Sequence, residues 1–259
     1  MASLADMTWV EWRKAIRSRM PLWTALGSLF MPLGIAFVLF VAKHPEVSRE
    51  LGLISAKADL MAFAAADWPA FLGLYAQIIG AGGFILFVIV ISWTFGREFA
   101  DGTLKDMMAV PVSRANIVLA KYLVFALWCL MLTVVICGAG LATGALIGIE
   151  DGGQSILLQG GARVATTALL AIAVVAPFAF VASVGRGYLL PLGAAFLTLM
   201  ATNLMAIIGR AEFFPWGVPF LHAMGTTSLA PISYGIALLT GAAGILGTIL
   251  WWKFAEQSR

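Results

Sequence analysis

Six long stretches of this chain, at 21–42, 71–95, 117–149, 164–185, 189–209 and 232–252, are apolar and almost free of charge. Each holds at least the roughly twenty residues that a helix needs to cross a hydrocarbon core about 30 Å thick. No other feature limits the fold so severely. Side chains do not alternate between polar and apolar along the runs, which excludes a membrane-spanning β-barrel. Of the 259 residues 61% are hydrophobic and only 11% charged, where a soluble domain carries about a quarter. Too little polar side chain is present to coat a soluble globule, so a soluble enzyme is excluded. The expected fold is all-α: one polytopic membrane domain over 1–259 with six spans. The third is long enough to tilt or project, and Pro177 kinks the fourth.

The formal charge of +3 reads better by position than by sum, and it gives no reason to expect nucleic acid. With the N-terminus inside, that side collects Arg13, Lys14, Arg17, Arg19, Arg97, Lys105, Arg114, Lys121, Arg186, Lys253 and Arg259, eleven of the sixteen basic residues. Both termini are therefore expected in the cytoplasm of a multi-pass protein of the cell membrane. Ahead of the first span, Trp9, Trp12, Ile16 and Met20 recur at helical spacing, with Asp6, Arg13, Lys14 and Arg17 on the other side. This predicts an amphipathic interfacial helix over 4–20. The outer loop at 43–69 repeats apolar residues at Val47, Leu51, Ile54, Ala58 and Met61, as a helix on the outer leaflet or a simple spacer would. The connection at 210–231 contains FFPWGVPF (213–220), too rich in proline for a regular helix and suited to an aromatic belt or a re-entrant segment. Gly140, Gly144 and Gly148 repeat every four residues, as do Gly241, Gly244 and Gly247 nearly, which predicts close helix packing. Cys129 and Cys137 read as small buried hydrophobes.

Several chemistries lack their residues. There is no G-x-x-x-x-G-K-[ST] loop, and the near-miss GAGLATG at 138–144 lies inside a span. No H-E-x-x-H occurs, and His44 and His222 fall in different connections, so neither a metal nor another cofactor is expected in this chain. No pair of carboxylates lies mid-span, and Gln77 and Asn203 are expected to bond between helices. What remains is the charged connection at 96–116 between the second and third spans. Thr103 followed by Asp106 resembles a capping box with a shorter acid, Leu104, Met107 and Met108 give the ensuing turns an apolar face, and Pro111 ends them. Ser113 can cap the third span, with Lys121 snorkelling from it to the surface. The expectation is a stiff cytoplasmic knob with a soft exposed face.

The string FGREF-D-TLKD-x-x-A-PVSR-x-x-I-x-x-x-K in this connection resembles the cytoplasmic loop of permease subunits of type-two ABC exporters, particularly the bacitracin-resistance-like branch. The E-x-R-K core of the N-terminus (Glu11, Arg13, Lys14), GYLLPLG at 187–193, FFPWGVP and the WWKFAEQ ending are similar to the same branch. The resemblance implies one permease of a pair, the second copy identical or homologous, driven by two separate ABC ATPase subunits that bind ATP and magnesium. It further implies that Leu104, Met107 and Met108 form the face that docks in the ATPase. Arg97, Glu98, Asp101, Lys105, Asp106 and Arg114 would then make polar contacts or hold the loop's shape, with Thr103 as its cap. No residue of this chain is expected to be catalytic. A path between two copies, lined by Gln77, Gly80, Gly83, Thr198, Thr202 and Asn203, would suit an amphiphilic cargo such as a membrane-active peptide antibiotic or a lipid-like molecule. Two other readings stay open on the residues alone: a secondary carrier needing no ATPase, and a membrane scaffold or immunity protein that sequesters without turnover.

Overall fold

The computed structural model describes residues 3–43, 67–104, 107, 112–149, 153–225 and 229–254. Among these the chain is helical and contains no strand. Helix α1 (Leu4–Arg17) is followed by α2 (Met20–Lys43) and then by α3 (Trp68–Gln77), which runs through a π-helical segment (Ile78–Gly82) into α4 (Gly83–Ala100). Next come α5 (Arg114–Ile147), α6 (Gly153–Val175), α7 (Pro177–Val184) and α8 (Leu189–Ile207). Two 3-10 turns (Ala211–Phe213 and Pro215–Gly217) lead into α9 (Val218–Met224), and α10 (Pro231–Phe254) closes the bundle. Six of these units are long and apolar enough to cross a membrane, with α3–α4 and α6–α7 each forming one span. The expected outer-loop helix at 43–69 and His44 lie outside the described residues, apart from the ends of that loop.

Local chemistry sets most of the boundaries. Ser3 and Asp6 close a capping box at the start of α1. Ser113 caps α5 by accepting a bond from the Asn116 amide at 3.2 Å, as its position in the sequence predicts. The fourth span breaks at Ala176, directly before Pro177, and the Tyr122 hydroxyl donates at 3.0 Å to the Ala176 carbonyl, which also accepts from the Ala179 amide at 3.1 Å. Helix α6 starts at Gly153 rather than at 164, because apolar content marks where a helix enters lipid and not where it begins. The aromatic connection is only partly irregular: proline-rich turns fill 211–217, but two regular turns follow from Val218. Trp216 fixes the segment to the bundle by donating its indole N–H to the Val174 carbonyl at 2.7 Å.

Glycines allow the closest contacts. A methyl added at Gly140 would sit 2.7 Å from the Tyr75 ring, and one at Gly144 2.7 Å from the Trp68 ring. A methyl at Gly244 would lie 2.6 Å from Pro177 Cα, so α10 packs directly on the kink. Two large buried clusters result. One, around Trp68, Phe71, Tyr75, Ile136 and Val164, lies at the end of the bundle remote from α1. The other spans the α1 end and includes Met7, Ala15, Phe95, Ile117, Tyr122 and Trp252.

Candidate functional site

At the α1 end, four charged side chains from three helices close into a ring of alternating sign. Lys121, from the second turn of α5, is fully buried, and its ammonium lies 3.0 Å from Glu11 Oε2 of α1 and 3.0 Å from Glu98 Oε2 of α4. It also donates to the Thr94 carbonyl at 2.9 Å. Lys14 completes the ring at 2.7 Å from Glu11 Oε1 and 3.1 Å from Glu98 Oε1. Both carboxylates are nearly as buried as Lys121, while Lys14 keeps a third of its side chain exposed. Two positive and two negative charges leave the ring neutral, the condition under which ionised groups can stay in an apolar core. Burial pushes the Glu11 carboxyl up, but Lys121 first and Lys14 second outweigh it and hold it below the ordinary glutamate range. Burial lowers Lys14 too, and is outweighed by Glu11 and then Glu98, so its ammonium is stabilised.

This arrangement corrects the expectation for Lys121. It does not snorkel, because its stem points away from lipid to the one place where two carboxylates converge. A two-sided division of α1 gives Glu11 no partner in the bundle, but the helix has three faces. Met7, Glu11 and Ala15, four apart, turn into the bundle. Trp9 and Ile16 are 60% and 57% exposed, with Trp12 half-buried beside them. Asp6, Arg13 and Arg17 occupy the third, exposed face. A lysine within an apolar stretch was the available signal, since such a charge demands a partner.

The 96–116 connection hangs from this ring. Leu104 and Met107 are each only 9% exposed and belong to the same buried cluster as Met7 and Ala15 of α1. Met107 Sδ approaches the Lys14 ammonium at 3.9 Å. These two apolar side chains are therefore not an exposed tip: the turn finds apolar surface on its own chain. Lys105, Asp106 and Met108 lie outside the described residues. Asp101, Gly102 and Thr103 form the exposed surface there. Arg97 pairs with Asp101 at 3.1 Å and lies over the Trp93 ring at 5.0 Å. Arg114 is drawn elsewhere, donating to the Trp252 and Lys253 carbonyls at 3.0 and 3.3 Å and so capping the end of α10. Between α1 and the connection opens a cleft of about 420 Å³ lined by Met7, Val10, Lys14, Arg97, Asp101 and Thr103.

Of the six residues expected along a path between two copies, Gly80 and Gly83 are covered within this chain. Gly80 is closed off by the backbone of Phe220, whose Cα would lie 3.0 Å from an added methyl, and Gly83 is buried. Gln77, Thr198 and Thr202 are half-buried, and Asn203 is exposed and donates to the Leu199 carbonyl of its own helix. His222 meets the Tyr234 hydroxyl at 2.9 Å near the far end.

Comparison with known proteins agrees with this layout. The chain is 27% identical over 106 residues to the bacitracin transport permease protein BCRB of Bacillus licheniformis, a stretch covering 41% of this chain and 51% of that protein. The matched stretch thus spans about half the length of that curated relative. No solved structure matches. The model of the ABC-2 family transporter protein matches residues 7–203, from the first turn of α1 through the ion ring and the connection into α8. The helix bearing Glu11, the first four spans, most of the fifth and the connection between the second and third thus lie within one family match that covers well over half of the chain, and the chain belongs to the ABC-2 family of transporter proteins.

Proposed function

We propose that this chain is the membrane subunit of an ATP-driven exporter, moved through its 96–116 connection by separate ATPase subunits. The observation that carries the reading is the ring of Glu11, Lys14, Glu98 and Lys121. It ties α1, α4 and α5 together where the connection leaves the bundle. Leu104 and Met107 anchor the connection to α1, and the outward surface from Asp101 to Thr103, with Lys105, Asp106 and Met108 beyond it, meets the ATPase. The cleft beside Arg97 receives a segment of that partner. A push on the connection then reaches two spans at once, because a buried ion ring resists the loss of any member. Nucleotide is bound and hydrolysed in the partner, with magnesium, and this chain supplies no catalytic group.

In this reading the α1 end is cytoplasmic, which the basic residues gathered there favour, and the protein resides in the cell membrane. Two permeases, identical or homologous, enclose the path. The weak burial of α8, of which only 11% is buried within this chain, leaves a span free to meet the second copy. The match to a bacitracin transport permease supports an amphiphilic cargo of the peptide-antibiotic kind. The test is reconstitution of the chain with candidate P-loop ATPase subunits from the same organism. Stable association, ATP hydrolysis by the pair and ATP-dependent removal of a labelled peptide antibiotic are expected. Gradient-driven movement of the cargo by this chain alone, or failure to bind any P-loop subunit, would overturn the reading.

A further inference from the structure

Beside the ion ring, on the opposite flank of α1, lies an apolar groove of about 660 Å³ that the coupling reading does not use. Leu4, Trp9 and Trp12 of α1 form one wall, and Leu123 and Leu127 of α5 the other. Leu123 and Leu127 are 45% and 49% exposed. The same helix continues with exposed Met131 and Val134, at the spacing of a single stripe. That stripe belongs to a span, so its solvent is hydrocarbon. The groove is its end at the membrane boundary, where tryptophans such as Trp9 and Trp12 are at home.

Charge identifies what enters. Arg13 and Arg17 are exposed on the face of α1 next to Trp9, and the Arg13 guanidinium stands 6.0 Å from the Trp9 ring. Among the described residues neither arginine forms an ion pair, whereas Lys14 is committed to the ring. Asp6, the remaining acid of α1, is bound to Ser3. An apolar slot open to the hydrocarbon, with the Arg13 guanidinium beside the Trp9 ring of its wall and Arg17 one turn farther along the same exposed face, neither ion-paired among the described residues, matches one chemistry: an acyl chain joined to an anionic phosphate.

We propose that the groove between α1 and α5 is a binding site for an anionic phospholipid of the leaflet in which α1 lies, with one acyl chain against Trp9, Trp12, Leu123 and Leu127 and the phosphate at Arg13 and Arg17. The lipid completes the third side of α1, whose other sides face the bundle and water. The proposal is independent of the ATPase reading, since it can be tested without nucleotide or partner.

The experiment places the full chain in phosphatidylcholine nanodiscs doped with a photoactivatable lipid, either phosphatidylglycerol or phosphatidylcholine with the same diazirine-bearing acyl chain, and maps labelled peptides by mass spectrometry. Phosphatidylglycerol should label residues 4–12 and 123–127 in preference to phosphatidylcholine by up to about fivefold for each arginine. The double variant R13Q/R17Q should abolish that preference. Filling the groove with Leu127→Trp should reduce labelling by both probes there. Labelling along exposed Leu204 and Ile207 of α8 should not change in any variant, which controls for folding. Equal labelling of the groove by both lipids, or a preference that survives R13Q/R17Q, would overturn the proposal. So would a crosslink from α1 to α5 of a second copy in place of lipid.

Discussion

Replacing Lys121 with methionine tests the ion ring directly. The substitution keeps the length of the stem and removes one charge, so Glu11 and Glu98 are left buried with Lys14 alone and the ring carries a net charge of minus one. Stranding a buried charge in this way costs about 3–5 kcal/mol. The cost falls on the attachment of α1, which the ring joins to α4 and α5. At about 1.4 kcal/mol per tenfold, the fraction of molecules with α1 released should rise roughly a hundredfold to a few thousandfold. Exposed Arg17 and Arg19, at the end of α1 and just beyond it, give the assay: tryptic cleavage there, followed in nanodiscs at low protease, tracks the open population when reclosing is fast. Adding Glu11→Gln to Lys121→Met restores neutrality, leaving Lys14 with Glu98. The double variant should therefore be more resistant than K121M by at least about tenfold. Cleavage of K121M at the wild-type rate, or a double variant whose loss is the sum of the two single losses, would refute the ring as a mutual-neutrality device.

Three further outcomes follow from the geometry. Gly144→Leu drives a side chain into the Trp68 and Phe71 rings, whose atoms lie 2.7 and 3.0 Å from an added methyl. It should cost about 1–3 kcal/mol or more and lower the thermal midpoint of the purified protein; an unchanged midpoint would show that α3 and α5 part easily. Tyr122→Phe leaves the Ala176 carbonyl without its 3.0 Å donor beside the proline kink and should destabilise by about 1 kcal/mol, measurable by the same midpoint. The attachment of α1 should also depend on pH. Glu11 is held below its ordinary value, so its contribution is complete above the usual glutamate range and fades as pH falls through the lowered value. Lys14 is held above its ordinary value, so its contribution is complete below the usual lysine range and fades as pH rises through the raised value. Tryptic sensitivity at Arg17, corrected for the protease's own pH profile, should be flat between about pH 5 and 10; a step between pH 6 and 8 would contradict this.

What sequence could reveal was decided by distance along the chain. The six spans, the Ser113 cap, the break at Pro177 and the glycine faces of α5 and α10 all rest on interactions within a helix or on the composition of a run. Each stands in the structure close to where the residues put it, apart from the early start of α6 and from Gly148, which has nothing within 4 Å of an added methyl and ends α5 in the left-handed conformation instead of packing. The ring joins residues 110 positions apart in the chain, and no periodicity reports such a pairing. Helix α1 shows the difficulty well. Its tryptophans and arginines define two faces convincingly, and a single glutamate among them looks like part of the polar side. Only the presence of Lys121 in an apolar stretch hinted that a carboxylate had to come to it. The turn containing Leu104 and Met107 failed for a related reason: an apolar face next to a charged surface can cover either a partner or the chain's own helix, and composition does not distinguish them.

The two buried polar sites divide the bundle mechanically. At the α1 end three ion pairs link the helices and a fourth lies within α1; α4 or α5 cannot leave without stranding a charge, and α1 cannot leave without breaking two pairs, so α1, α4 and α5 should move as one body. On another side of α5, Tyr122, next to Lys121, bonds to the Ala176 carbonyl and to the Thr248 hydroxyl, neutral contacts at a proline break where the backbone has already lost a helical bond. Breaking these costs less than breaking the ring. A force entering at the connection would therefore be carried intact to α5 and yield first where α6, α7 and α10 meet. A crosslink between α1 and α4 should accordingly leave ATP-driven transport intact, while one pinning α10 to α7 across Gly244 and Pro177 should stop it. The reverse result would place the yielding element at the base of the bundle and refute this division.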